Sequence, residues 1–271
     1  PLDKVWAFPA PQGEILRQRV DRYFAQLQEA GALAPLVDRH FEHLDRLDAY
    51  SRNAFRERVE SRLPAFRELL ESAAQRHGLD WRFLAAVAYQ ESQWDPDAVS
   101  ATGVRGLMML TRRTAREVGV RDRKDPRESI DGGAQYFVNL HARVSPDAPE
   151  PDRTWMTLAA YNLGFGHLLD LQRLTAHLGG DPLRWTELRS HLLKLSQPRW
   201  YRHEVVRYGY ARGAEARSYV ANIRAYYDLL RWRFPAAGET ALDVEQPIAP
   251  FRLELAPADE SQRLDTLVPA L

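Results

Sequence analysis

Residues 81–94 read WRFLAAVAYQESQW, and they have the apolar periodicity of an α-helix. Leu84, Val87 and Ala88 fall on one face at positions i, i+3 and i+4. Glu91 continues that apolar face at i+7, where an ionised carboxylate is costly to bury. It therefore either pairs with a cation or keeps its proton through a raised pKa, which is what a general acid near neutral pH requires. Glu91 is the candidate catalytic residue, and a structural ion pair with an arginine is the alternative.

Two further motifs follow this helix. Residues 103–111 read GVRGLMMLT, and residues 159–162 read AAYN, with Gly164 close behind. The two glycines of the first motif have no Cβ, so they permit a turn whose backbone comes close to a bound group. Asn162 in the second motif also fits the plain role of a helix cap next to a glycine.

Composition excludes several classes of site. The chain has 271 residues, enough for one large or two smaller domains, and Lys+Arg and Asp+Glu are equal at 37 each. No global field therefore favours nucleic acid or an anionic membrane. The chain has no cysteine, which excludes thiol nucleophiles, disulfides and thiolate metal sites. The eight histidines form no His-Glu-x-x-His pattern, so we predict neither a metal nor a cofactor.

Taken in order, the motifs resemble the signature of the family 1 lytic transglycosylases, which are lysozyme-like enzymes that cut the glycan strands of bacterial peptidoglycan. The family usually has Gln where this chain has Met109. That departure, with YGYARG at 208–213 and YVANI at 219–223, resembles the branch called membrane-bound lytic transglycosylase F. The resemblance covers about residues 66–233.

The resemblance implies a reaction with one carboxylate, whereas ordinary glycosidases use two. Glu91 would protonate the glycosidic oxygen of a MurNAc–GlcNAc β-1,4 bond and then take the proton of the C6 hydroxyl. The muramic acid would close to a 1,6-anhydro sugar without water, with its N-acetyl group as the nucleophile. Asp95 and Asp97 flank Pro96, and we interpret them as the turn that ends the helix.

The resemblance also implies a set of substrate-binding residues: Ser92, Gly106, Leu107, Met108, Met109, Tyr161, Asn162 and Tyr219. In relatives, the tyrosine at position 219 hydrogen-bonds the catalytic glutamate. Each residue has a plain alternative as well. The hydroxyl of Ser92 could bond back to a helix carbonyl, the Met pair could be core, and Tyr219 could be half-buried packing. Leu107, Met108 and Met109 could line the floor of a cleft, where the thioethers would contact a sugar, but Met109 cannot make the hydrogen bond that Gln makes in relatives.

We therefore predict a lytic transglycosylase of cell-wall turnover, whose partners are peptidoglycan glycan strands and muropeptides, not nucleic acid. A goose-type muramidase with the same fold and a non-catalytic peptidoglycan-binding module are the alternatives. The family implies the periplasm, peripheral to the outer membrane of a Gram-negative bacterium, and a monomer. The chain opens on Pro1 without a Met, which indicates a piece of a longer protein whose membrane anchor would precede it.

The predicted architecture is all-α, with a lysozyme-like helical catalytic domain at 49–234. Residues 1–48 resemble the end of a family 3 solute-binding domain, with a strand at 4–9, and a native helical hairpin is the alternative. Residues 235–271 are predicted as an extended tail with an edge strand at 251–255. Predicted helices span 14–29, 33–41, 56–77, 81–94, 111–119, 129–144, 153–163, 166–178, 185–195 and 214–232.

Overall fold

The computed structural model describes residues 13–30, 33, 47–101 and 103–236, and these residues are mostly α-helical. In chain order the helices are α1 (Gly13–Glu29), α2 (Ala49–Ser61), α3 (Arg67–His77), α4 (Trp81–Ser92), α5 (Arg112–Glu117), α6 (Pro126–Arg143), α7 (Asp152–Leu163), α8 (Phe165–His177), α9 (Trp185–His191), α10 (Pro198–Tyr201) and α11 (Gly213–Arg233). Two 3₁₀ turns, Leu63–Ala65 and Leu192–Ser196, complete the set. The predicted all-α, lysozyme-like class is confirmed.

Several predicted elements lie outside the described residues. They are the strands at 4–9 and 251–255, and the helix at 33–41 apart from Leu33. The helix predicted at 14–29 is present as α1, and its apolar side chains Ile15 and Tyr23 are exposed. The domain boundaries at 48 and 234 stay predictions.

The prediction of one continuous helix at 56–77 is wrong. The structure has two helices there, α2 and α3, with a 3₁₀ turn between them. Pro64 lies in that turn, and its ring and missing N–H are incompatible with the interior of an α-helix. The break lets Leu63 turn into the core, where it is almost fully buried.

The predicted N-terminus of the helix at 129–144 is also wrong. α6 begins three residues earlier at Pro126, and the cap is Asp125, whose carboxylate accepts the N–H of Glu128 at 2.8 Å. Ser129 lies inside the helix and is fully buried. Its hydroxyl oxygen accepts the backbone N–H of Met108 at 3.1 Å, so it fixes the glycine-containing turn instead of the helix end.

Helix α4 lies at the centre of the molecule. Its N-cap is Asp80, whose carboxylate accepts the N–H of Arg82 at 2.8 Å. The helix is buried on nearly all sides, which is typical of a central helix and goes beyond the single apolar face read from the sequence. Helices α3 and α11 pack against it, and α11 also packs against α7. The candidate catalytic residue is therefore on the most constrained element of the fold.

The end of α4 differs from the prediction as well. The helix stops at Ser92, before the proline at 96, because Gln93 and Trp94 adopt left-handed backbone conformations with φ of 55° and 56°. The Trp94 ring is buried, and its indole N–H donates to the carbonyl of Ala85 at 3.0 Å. Burial of this ring and its hydrogen bond offset the backbone strain.

No helix within the described ranges is long and apolar enough to cross a bilayer.

Candidate active site

Glu91 and Tyr219 form the centre of the candidate site. The two residues are 128 positions apart, on α4 and α11, and the Tyr219 hydroxyl donates a 2.6 Å hydrogen bond to Oε1 of Glu91. Tyr219 is buried, and burial next to Glu91 raises its pKa well above the ordinary value of a tyrosine. The phenol therefore keeps its proton and remains a hydrogen-bond donor to the carboxyl group at every physiological pH.

The carboxyl group of Glu91 lies in a weakly solvated environment. Burial raises its pKa to about 7, and the hydrogen bond from Tyr219 opposes part of that rise. Within the described ranges, no arginine or lysine forms an ion pair with Glu91, so the structure does not support the ion-pair alternative. A carboxyl group with this pKa holds a proton that it can donate near neutral pH.

Tyr161, near the end of α7, is a second tyrosine close to the same carboxyl group. Burial and the nearby Glu91 raise its pKa well above that of an ordinary tyrosine. Its hydroxyl donates a 3.4 Å hydrogen bond to the carbonyl of Met108, and its ring meets Tyr136 edge-on at 5.3 Å. Glu91 is therefore close to two neutral phenols that come from different helices.

The turn at 103–111 joins the site through its backbone. Gly103 and Gly106 both have φ of 79°, and Arg105 bridges Val99 on one side and Leu110 on the other. What approaches Gly106 is another part of the chain. A Cβ at this position would lie 1.7 Å from the carbonyl oxygen of Arg123. The first reason for this glycine is therefore internal packing, not access for a ligand.

Ser92 couples α4 to this turn. Its hydroxyl lies 2.9 Å from the carbonyl of Leu107 and 3.1 Å from the carbonyl of Ala88. One hydroxyl has one proton, so these two acceptors compete for it, and the oxygen lone pairs remain available to accept. The bond back to a helix carbonyl, the plain alternative for this residue, is present alongside a bond across to the turn.

Two of the residues expected to line a cleft floor lie in the core. The side chains of Leu107 and Met108 are buried, and Met108 packs directly against Gly133 of α6. Only their backbone carbonyls take part in the site, through Ser92 and Tyr161. Met109 differs, because its side chain is partly exposed and its φ is 45°. Of the two methionine side chains expected to contact a sugar, only that of Met109 is accessible.

The remaining residues are more exposed. Asn162 is exposed in the last turn of α7, two residues before Gly164 caps that helix. Asp95 accepts the backbone N–H of Asp97 at 3.0 Å, as expected for a turn, and Asp97 pairs with Lys124 at 2.6 Å. These two carboxylates are occupied in the turn, which leaves Glu91 as the candidate acid.

Two residues of the site escaped sequence reasoning. Ser129 was expected only as the first residue of the helix at 129–144 and Tyr136 was not among the expected site residues, yet they contact Met108 and Tyr161 respectively. In the sequence the available signal was weak: Tyr136 lies one position from the apolar face of α6, next to Phe137. Their importance comes from contacts between helices, which a local pattern does not contain.

Replacing Tyr219 by phenylalanine is expected to move the alkaline limit of activity to higher pH. The variant loses the one hydrogen bond that lowers the pKa of Glu91, so the pKa should rise above about 7. The maximal rate should fall by about tenfold, because the carboxyl group is no longer oriented by the phenol. Rates of product release measured across pH provide the check. Tyr226→Phe is the control, since Tyr226 is on the same helix and stacks on Phe55 instead. A shift of the limit toward lower pH would contradict this account.

Comparison with known proteins places these motifs in a family. Residues 68–182 match the family model described as the transglycosylase SLT domain. The chain is 50% identical over 230 residues to a protein of Marinobacter nauticus named membrane-bound lytic murein transglycosylase F; the match covers 85% of this chain and 45% of that protein. A protein of Alkalilimnicola ehrlichii with the same name, numbered 1, is 47% identical over 265 residues, covering 98% of this chain and 53% of its own length. The chain thus spans about half the length of these relatives.

Among solved structures, an inactive mutant of the lytic transglycosylase Slt from Pseudomonas aeruginosa is 24% identical, with a TM-score of 0.41, and the match covers 68% of this chain and 25% of that one. The matched residues 68–182 contain Glu91, the 103–111 turn and Tyr161, and the relatives extend the similarity over most of the chain. Residues 68–182 thus belong to the transglycosylase SLT domain family, and most of the chain is similar to proteins named lytic murein transglycosylases.

Proposed function

We propose that the chain is the catalytic part of a peptidoglycan lytic transglycosylase that cleaves the MurNAc–GlcNAc β-1,4 bond without water. The observation that carries the proposal is the carboxyl group of Glu91, which has a pKa of about 7 and a buried tyrosine donor on Oε1. Family membership supports the substrate class, since the relatives are named murein transglycosylases.

The first step is general acid catalysis. Glu91 donates its proton to the glycosidic oxygen as the bond from that oxygen to C1 of MurNAc breaks. Positive charge develops at C1, and the carbonyl oxygen of the sugar's own N-acetyl group attacks it, which replaces the second carboxylate of ordinary glycosidases. Tyr219 stabilises the carboxylate that remains, because its hydrogen bond is stronger to a charged acceptor.

The second step returns the proton to Glu91. The carboxylate accepts the proton of the C6 hydroxyl, the C6 oxygen attacks C1, and the N-acetyl oxygen leaves. The product is a 1,6-anhydro-MurNAc end, and Glu91 is again protonated for the next cycle. Ser92, Tyr161 and Asn162 are proposed to contact the substrate on either side, together with Met109 and the backbone at Gly106, Leu107 and Met108.

The alternatives differ in what they produce. A goose-type muramidase would use the same acid but add water at C1, and a non-catalytic module would release nothing. The raised pKa of Glu91 favours a catalytic role, because pure binding needs no buried acid. The test is digestion of purified sacculi followed by mass spectrometry of the released muropeptides. We expect products one water lighter than reducing ends; products with reducing ends would establish the muramidase instead.

Activity is expected to decline as the pH rises through about 7. Burial raises the folded-state pKa of Glu91, so the proton needed for the first step is present below this pH and lost above it. Initial rates of muropeptide release, measured from about pH 5 to about pH 9, should fall on the alkaline side with one apparent titration. A rate that stays constant up to about pH 9 would show that the reaction does not depend on a protonated Glu91.

The cellular location and the partners of this chain are proposed from the names of its relatives. The relatives' names describe membrane-bound proteins, and we propose that this chain acts in the periplasm at the inner face of the outer membrane, on glycan strands and muropeptides. Residues 1–48 are proposed to end a solute-binding-like domain, and the catalytic unit is proposed to act as a monomer.

A further inference from the structure

Asp170 is a buried carboxylate that the proposed reaction does not use. It lies on α8, has no exposed surface, and pairs with Arg173 one helical turn later. A fully buried charge is costly unless hydrogen bonds satisfy it. The two carboxylate oxygens also accept two consecutive backbone N–H groups, that of Arg207 on Oδ1 and that of Tyr208 on Oδ2, each at 2.7 Å.

Asp170 and Arg173 together hold one loop against α8. The guanidinium of Arg173 donates to the carbonyl of Val205 at 3.0 Å, so three backbone groups within residues 205–208 are tied to one ion pair. We call residues 205–208 the clamped loop. Charge-assisted hydrogen bonds of this kind are stronger than neutral ones, so they hold the backbone of the clamped loop firmly in place.

What the clamped loop presents to solvent is the ring of Tyr208. Tyr208 is 58% exposed, and its ring packs on Gly166, four residues before Asp170 on the same face of α8. A Cβ at Gly166 would lie 2.6 Å from Cδ1 of the tyrosine, so only glycine permits this contact. His167 meets the ring edge-on at 6.2 Å. The buried ion pair thus holds the backbone of this mainly exposed tyrosine, and Gly166 holds its ring.

The residues that carry and seat the ring are close in sequence to the active-site tyrosines. Gly166 follows Tyr161 by five residues, so their Cα atoms are at most about 18 Å apart. On the other side, Tyr208 precedes the start of α11 by five residues, and α11 carries Tyr219. Short chain segments therefore join the ring to both active-site tyrosines, while the pKa of Glu91 depends on burial and Tyr219 and not on Tyr208.

On the basis of the function proposed above, we propose that Tyr208 is a stacking platform for a pyranose ring of the glycan strand, away from the bond that is cut, and that Asp170 is its positioning residue. A pyranose presents C–H groups on one face, which pack on an aromatic face, and the phenol hydroxyl can bond sugar hydroxyls. Because the ion pair and the glycine hold the ring in place before binding, little conformational entropy is lost when a sugar docks.

The test measures affinity apart from turnover. Soluble glycan strands stripped of their stem peptides are titrated into the Glu91→Gln chain, alone and combined with further substitutions. Tyr208→Ala should weaken binding about tenfold, and Tyr208→Trp should retain it. Tyr210→Ala is the matched control, because Tyr210 is 55% exposed two residues away but contacts Tyr201 instead. In the active chain, Tyr208→Ala should raise KM more than it lowers kcat.

Two substitutions test the seat and the clamp without altering the ring. Gly166→Ala should displace Tyr208 and weaken binding like Tyr208→Ala, while the melting temperature holds, because alanine is the better helix former. Asp170→Asn places an amide NH₂ against one of the two backbone N–H groups in either orientation. The backbone amide of Arg207 or of Tyr208 should then exchange hydrogen faster, and KM should rise.

The outcomes separate this proposal from the reaction. Equal binding by the Tyr208→Ala and Tyr210→Ala chains would overturn the platform, even if the wild-type chain produces anhydro ends. An effect seen only with strands that keep their stem peptides would overturn the saccharide as the ligand. Failure of the proposed reaction would appear instead as an absence of anhydro products from the wild-type chain.

Discussion

Replacement of Glu91 by glutamine is expected to abolish turnover while leaving the chain folded and able to bind glycan. Glutamine has no proton to donate at any working pH, so release of muropeptides should fall by at least about 10²–10⁴-fold. The amide oxygen can still accept the hydrogen bond that Tyr219 donates to Oε1. Release of muropeptides by this variant at a rate near that of the wild type would show that Glu91 is not the acid.

The same substitution is expected to raise stability at alkaline pH. The folded-state pKa of Glu91 is about 7, above the value of 4.5 of a solvated glutamate, so the folded state binds the proton more tightly than the unfolded state. The contribution of protonated Glu91 to the free energy of unfolding is fully present below about pH 4.5, and it is lost as the pH rises through about 7. The loss amounts to at most about 3 kcal/mol, reduced by the partial exposure of the side chain. Glutamine does not ionise and avoids it.

Melting temperatures at about pH 5 and about pH 8 provide the measurement. The difference between Glu91→Gln and the wild type should become more positive at the higher pH. Glu57→Gln is the control, because Glu57 is exposed on α2 and its neutralisation should not produce this trend. A difference that is the same at both pH values would mean that Glu91 is solvated and titrates as an ordinary glutamate.

Helices such as α8 and α11 could be predicted from the sequence because they bury an apolar face, and burial is what makes the 3.6-residue period visible. α8 was predicted at 166–178 and runs Phe165–His177; α11 was predicted at 214–232 and runs Gly213–Arg233. Errors of one residue at the ends are expected, because terminal turns carry little periodic signal.

The larger errors arose where tertiary contacts override a local pattern. Nothing near Trp94 in the sequence shows that its ring enters the core and draws two residues into the left-handed region. Ser129 has the residue type of a helix cap, but its hydroxyl contacts Met108, which lies 21 positions away. Contacts of this kind depend on how the helices pack against each other, and the sequence of one helix does not show which residues of another helix it will contact.

In the candidate site too, the local pattern predicted some features, and others depend on contacts between helices. The periodicity placed Glu91 on an apolar face, and from that placement alone a raised pKa follows. The Tyr219 contact was expected only through the resemblance, since no physical argument joins two residues 128 positions apart. Leu107 and Met108 were expected as a cleft floor, but their side chains are buried and their backbone faces the site.

Gly106→Ala is expected to cause the largest loss of stability among single substitutions at the 103–111 turn. Two costs add at this position. The backbone φ is 79°, and a left-handed conformation costs a residue with a Cβ about 1–2 kcal/mol. The new methyl group would also lie 1.7 Å from the carbonyl oxygen of Arg123, and relieving such overpacking costs about 1–3 kcal/mol.

The Arg123 carbonyl has little freedom to move away. The side chain of Arg123 donates to the carbonyls of Gly103 and Leu110, each at 2.9 Å, so this residue is tied to both ends of the turn. The hydroxyl of Ser129 lies 2.9 Å from the same Cβ position and accepts the N–H of Met108. A shift of either neighbour would therefore break hydrogen bonds that hold the turn next to Ser92.

Gly103→Ala is the matched control for this prediction. Gly103 has the same φ of 79°, but nothing lies within 4 Å of its Cβ position, so it bears only the backbone cost. For a chain of this size, about 1 kcal/mol shifts the melting temperature by about 2–4 °C, so Gly106→Ala should melt about 4–20 °C below the wild type and Gly103→Ala by about 2–8 °C. Thermal unfolding followed by circular dichroism measures both. Equal losses in the two variants would show that strain alone acts at Gly106 and that the Arg123 carbonyl yields without cost.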